Sequence, residues 1–153
     1  MDLLLWRHAE AEPAAEGHSD LNRRLTPKGE AQAQRMARWL DRHLPASARI
    51  MVSPALRTQQ TAQALQRKFK TVEALGLDAQ PGDLLTAAQW PSARQPVLLV
   101  GHQPTLGLVV AQLLGVPQMA LSVRKGAVWW IRHRDRDAAD HAVLLTVQSP
   151  DLL

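Results

Sequence analysis

The chain has 153 residues, 46% of them hydrophobic and 21% charged, with 18 Lys+Arg against 14 Asp+Glu and no cysteine. That length fits a single domain over 1–153, large enough to bury roughly 70% of its unfolded surface, while the absence of cysteine excludes a disulfide framework, a zinc ribbon and thiol catalysis. A net charge of +4 suits an anion such as phosphate at a local site better than a nucleic-acid footprint, and no apolar run approaches a membrane span, so a cytoplasmic globule without nucleic-acid or membrane partners is expected.

Leu3-Leu4-Leu5-Trp6 is an uninterrupted apolar run, which predicts a short strand buried on both faces, with Arg7 and His8 just past its carboxyl end. From Ala9 to Asn22 there is no sustained period, and Pro13, Gly17, Ser19 and Asp20 mark a long surface loop. Thr26 stands as an N-cap before Pro27, and Ala33, Met36, Ala37 and Leu40 recur at helical spacing, predicting a helix to about His43. Ile50-Met51-Val52 reads as a second buried strand. Ser53-Pro54 ends it, cap and first-turn proline of a second helix predicted to reach about Lys68.

Thr71 to Ala74 reads as an edge strand and Leu84 to Trp90 as a short helix after a Pro81-Gly82-Asp83 turn. Val97-Leu98-Leu99-Val100 is the third all-apolar strand, followed by Gly101-His102-Gln103-Pro104 and a helix from Thr105 to about Leu114. Ala127 to Arg132 and Ala142 to Val147 predict two antiparallel strands joined by a charged turn around Arg134 to Asp140.

Buried strands each followed by a helix imply an α/β fold: one three-layer α/β/α domain with a mostly parallel central sheet and an antiparallel edge. Ligands of such sheets bind beyond the carboxyl ends of the strands. Those ends carry Arg7 and His8, Ser53-Pro54 leading to Arg57, and Gly101-His102. Two arginines offer forked, permanently charged donors matched to phosphate oxygens. A neutral imidazole can attack phosphorus and split a transfer into two easier steps. A second imidazole, if protonated, and the first-turn amides near Pro54 and Pro104 would stabilise charge on the equatorial oxygens. This set calls for no metal and no cofactor. The arginines are expected to hold His8 neutral, because like charge disfavours its protonated form.

Leu4-Leu5-Trp6-Arg7-His8-Ala9-Glu10 resembles the Arg-His-Gly motif of the histidine phosphatase (phosphoglycerate-mutase-like) superfamily, with alanine where glycine is usual. The stretches 20–29, 53–61, 101–106 and 147–150 resemble further blocks in the family's order, and together they are most similar to the compact SixA-type phosphohistidine phosphatases. The resemblance implies that His8 is the nucleophile, that Arg7, Arg57 and His102 line the phosphate pocket, and that Arg23 is an additional phosphate or substrate contact. Larger superfamily members place a glutamate after the second helix as general acid. Here that region offers Glu73, Asp78 and Asp83, none of which fits.

A phosphoramidate leaves as an imidazole that takes its proton on the ring, so a weak acid position favours a P–N substrate. The expected partner is a phosphohistidine-bearing protein, acted on by a monomer in signal transduction. The alternatives are a general small-molecule phosphomonoesterase or mutase and a non-catalytic phosphohistidine-binding module. Glu10 and Glu12 read as solvated loop residues, with proton transfer as the lesser alternative, and Arg23 and Arg24 each read equally as a ligand contact or as a plain surface charge.

Overall fold

Leu3, Leu4, Leu5 and Trp6 are all 0% exposed, because side chains that alternate across a strand meet a packed layer on each side. They form the centre of β1 (Asp2–Arg7). The computed structural model describes residues 1–116, 121–134 and 142–153. Its other strands are β2 (Arg49–Val52), β3 (Lys70–Thr71), β4 (Val97–Gly101), β5 (Val128–His133) and β6 (Ala142–Gln148). The helices are α1 (Pro27–His43), α2 (Leu56–Gln63), α3 (Pro81–Ala88) and α4 (Thr105–Leu113). Leu4 and Trp6 pack with Met36, Leu40 and Ala62 of α1 and α2, whereas Leu3 and Leu5 pack with Leu84, Leu106 and Val110 of α3 and α4. The two clusters are the two cores of an α/β/α sandwich.

The six strands run in the order β3-β2-β4-β1-β5-β6. β1, β2, β3 and β4 are mutually parallel, and β5 and β6 close the sheet as antiparallel neighbours, as the apolar runs and their spacing predict. The register of the central strands positions the site. Arg7 lies opposite Gly101 and Val52 opposite Val100, so β1, β2 and β4 end at one level and hand His8, Ser53 and His102 to the same crevice.

Three boundaries differ from expectation. α2 stops at Gln63 rather than near Lys68: the amides of Ala64, Leu65 and Gln66 reach back only three residues, Gln66 turns at φ 56, and Leu65 and Phe69 drop into the α1-side core. α3 begins at Pro81 rather than Leu84, because proline suits the first helical position and Asp83 Oδ2 accepts from Gln80 N–H at 2.9 Å. The edge strand is only Lys70–Thr71, followed by a 3-10 turn over Glu73–Leu75 that buries Leu75. The predicted charged turn, beyond Arg134, lies outside the described residues. Among the described residues, no helix is long and apolar enough to cross a membrane.

Candidate active site

The backbone at the end of β1 is gripped from both sides. Arg7 N–H donates to Ala127 O at 3.1 Å and His8 N–H to Gly101 O at 3.2 Å, while Gly126 N–H is shared between the carbonyls of Arg7 (3.1 Å) and His8 (3.0 Å). Gly126 sits at φ +75, a conformation that residues with a Cβ rarely adopt, and its carbonyl accepts from Trp6 Nε1 at 3.1 Å. Ala9, in place of the usual glycine, is fully buried in a cluster with Ala11, Leu25 and Ala33. Its N–H donates to Thr61 Oγ1 at 3.0 Å, and that hydroxyl donates to Arg57 O at 2.7 Å, so the motif loop is tied to α2. On the next turn Gly29 passes so close to Glu10 that a Cβ there would overlap the Glu10 carbonyl.

His8 Nδ1 is 2.7 Å from Ala9 O. A carbonyl only accepts, so Nδ1 carries the proton and Nε2 carries the lone pair. Desolvation pushes this histidine down to about 3; the bond to Ala9 opposes that, and the charges of Arg57, His102 and Arg7 add to it. The ring is therefore neutral, as expected, but for a corrected reason: burial outweighs the arginines. His102, whose ring centroid lies 5.5 Å from that of His8, is likewise pushed down to about 4, by desolvation first and Arg57 second. The second imidazole is thus neutral too, not protonated. Its Nε2 is 2.7 Å from Ser53 Oγ. Ser53, expected only as a helix cap, is fully buried and belongs to the site, while Ala55 takes the N-cap position of α2.

Arg7 donates to Val123 O at 3.0 Å. Arg57, on the buried face of the first turn of α2, is 4% exposed. Both its terminal nitrogens meet Asp20: Nη1 donates to the carbonyl at 2.8 Å and Nη2 to Oδ2 at 3.1 Å. Arg23 donates to the other carboxylate oxygen of Asp20 at 3.1 Å and to Glu12 O at 2.7 Å. Desolvation raises the Asp20 carboxyl, but its bonds to Arg23 and Arg57 outweigh that and hold it below the usual range. Arg7, His8, Arg57 and His102 therefore share one crevice, and Arg23 joins it through Asp20. Arg7 Nε, Arg57 Nε and His102 Nδ1 are buried with no hydrogen-bond partner among the described residues. Unpartnered nitrogens of this kind are rare in a folded interior.

The candidate acids make no hydrogen bond to Arg7, His8, Arg57 or His102 among the described residues. Glu10 accepts from Thr26 Oγ1 at 2.7 Å, at the amino end of α1, where its charge complements the helix. Glu73, Asp78 and Asp83 line a groove of about 360 Å3 with Leu21 and Pro54. Arg24 lines a recess with Arg23, Glu12 and His18. Two of the amides at the start of α4, expected to face phosphate, are already taken: Leu106 N–H by His102 O and Gly107 N–H by Gln103 Oε1. Among the described residues no three His, Cys, Asp or Glu stand together as a metal site.

Two buried neutral histidines link folding to acidity. In the unfolded chain each takes up a proton near pH 6.5, whereas in the folded chain this waits until about 3 and 4. Stability is therefore expected to fall as pH drops from about 6.5 toward 4, steepest where only the unfolded state is protonated. Urea midpoints across that range should show a shallower acid slope for a His8→Asn, His102→Asn double variant than for the parent. Equal slopes would mean that the two rings titrate normally.

The chain matches the model of the histidine phosphatase superfamily (branch 1) over residues 3–79. It is 34% identical over 131 residues to the phosphohistidine phosphatase SixA homolog of Haemophilus influenzae, covering 75% of this chain and 78% of that one. It is 30% identical over 121 residues to phosphohistidine phosphatase SixA of Escherichia coli, covering 74% of each. The structure of the protein histidine phosphatase SixA complexed with tungstate superposes with a TM-score of 0.78 over 99% of each chain at 24% identity, which establishes the common fold.

Proposed function

The chain belongs to the histidine phosphatase superfamily, and from that premise we propose that it is a phosphohistidine phosphatase in which His8 carries the phosphoryl group covalently. The neutral imidazole with its lone pair fixed on Nε2 supports this reading most directly. Nε2 attacks phosphorus, and the P–N bond to the substrate imidazole breaks. The departing ring keeps the bonding electrons and leaves neutral because its other nitrogen has taken a proton from solvent. Water then attacks the phosphorus on His8, the P–Nε2 bond breaks with its electrons returning to the ring, and inorganic phosphate leaves with the water's proton going to phosphate or solvent, so the imidazole returns to its starting state.

Arg7 and Arg57 hold the phosphoryl oxygens, and His102 lines the same pocket, positioned by Ser53. Arg23 is a further contact at its rim. Both steps use these groups alone, with neither metal nor organic cofactor.

The substrate class rests on the weak acid position. Asp20 is held by two arginines and Glu10 by Thr26, while Glu73, Asp78 and Asp83 line a neighbouring groove with Leu21 and Pro54, and none of these bonds the His8 ring. A phosphoramidate does not need a carboxylic acid. Together with the relatives' activity, this favours phosphohistidine on a protein. Assayed side by side, a phosphohistidine protein is expected to turn over at least about tenfold faster than sugar phosphates, since an ester leaving group lacks its proton donor. Faster turnover of the esters would overturn the assignment.

A further inference from the structure

We propose that Asp20 is a positioning residue that sets how tightly the site holds its anion: a carboxylate of the chain itself already occupies the guanidinium groups that a phosphoryl group must use. This rests on the crevice being the phosphate site. Three observations carry it. Arg57, with its side chain only 5% exposed, gives both terminal nitrogens to one residue, Asp20. The second carboxylate oxygen of Asp20 takes Arg23, so one negative charge bridges two positive ones. Asp20 itself is 46% exposed, on a 3-10 turn whose N-cap Ser19 accepts from Leu21 N–H, and so stands at the mouth while Arg57 stands behind it.

Each terminal nitrogen of a guanidinium has a second N–H, so Arg57 can meet a phosphoryl oxygen without releasing Asp20. It then does so with its charge partly offset and with a carboxylate repelling the incoming dianion. A hydrolase gains from this. Binding that is equally strong for substrate, transition state and product does not raise kcat, and phosphate held by three uncompensated arginines would leave slowly. The same bridge orients the Arg57 fork.

Calorimetric titration of the purified protein with inorganic phosphate tests the idea without depending on turnover. Asp20→Asn keeps the size and removes the charge, and is expected to bind phosphate about tenfold more tightly, the half-exposed position reducing the effect of the lost repulsion. Both KM and kcat for a phosphohistidine protein should fall, as they do when the ground state is stabilised. Asp20→Glu keeps the charge and should remain within about threefold of the parent in phosphate affinity. Asp20→Ser gives a second neutral variant with the Asn behaviour.

A residue that merely braces the loop gives the opposite sign. Phosphate affinity that is unchanged or weaker in the neutral variants, with native thermal midpoints, overturns the proposal, and so does an Asp20→Glu variant that binds as tightly as Asp20→Asn. The phosphate-site reading fails separately, if the parent binds no phosphate or if Arg57→Ala leaves its affinity unaltered.

Discussion

His8→Ala is expected to abolish turnover while leaving the fold intact. Deleting the nucleophile of a covalent hydrolase costs on the order of 10⁶-fold in rate. The fold should survive because, among the described residues, the His8 ring bonds only to the neighbouring Ala9 carbonyl, whereas the backbone there is held by Gly101, Ala127 and Gly126. The variant should still bind phosphate, since Arg7 and Arg57 do not depend on the His8 ring for their partners. Rapid quench should trap an acid-labile, base-stable phosphoenzyme in the parent and none in the variant. Appreciable residual hydrolysis would move the nucleophile elsewhere, with His102 the other imidazole in the crevice.

That much of the site is legible in the chain because its carriers are short and self-contained. Four consecutive apolar residues bounded by Arg7 cannot be half-exposed, so β1 has to be central, and the same holds for 97–100. Parallel strands of equal register then bring their trailing residues together, which makes His8, Arg57 and His102 neighbours although they are far apart in sequence. Thr26-Pro27 marks the start of α1 for a local reason too: the Thr26 hydroxyl accepts from Gly29 N–H at 2.9 Å.

The illegible parts depend on long-range partners. Asp20 lies in an aperiodic loop, and its role exists only because α2 presents Arg57 to it from 37 residues away. Ser53 has the chemistry of a cap, yet His102, 49 residues on, takes its hydroxyl into the site. Gly126 precedes β5 in an unremarkable Lys-Gly pair, and nothing local shows that it clamps the carbonyls of Arg7 and His8. The cause of His8 neutrality is hidden for a related reason. Charges can be counted along a sequence, but desolvation depends on how completely the crevice closes around the ring, and here it is the larger effect.

Arg57→Ala is expected to lower kcat/KM by about 100-fold to 1000-fold, the loss typical of removing one preorganised donor to a charged transition state. Arginine this buried needs a reason. On a solvated first helical turn it would be replaceable, but Arg57 is 4% exposed, is fixed at both terminal nitrogens by Asp20 and carries a buried Nε with no partner among the described residues. Because the fork is held in place before the substrate arrives, its contribution should be greatest where phosphoryl oxygens carry most charge, so kcat should fall more than KM rises. Arg57→Lys separates geometry from charge. A single ammonium cannot meet the Asp20 carbonyl and carboxylate in the same way and still present a planar pair of donors, so lysine should restore less than about a tenth of the lost rate. Pre-steady-state formation of the phosphoenzyme measures the step directly. An Arg57→Ala protein that forms it within about threefold of the parent rate would show that this arginine only anchors Asp20 and contributes nothing to phosphoryl transfer.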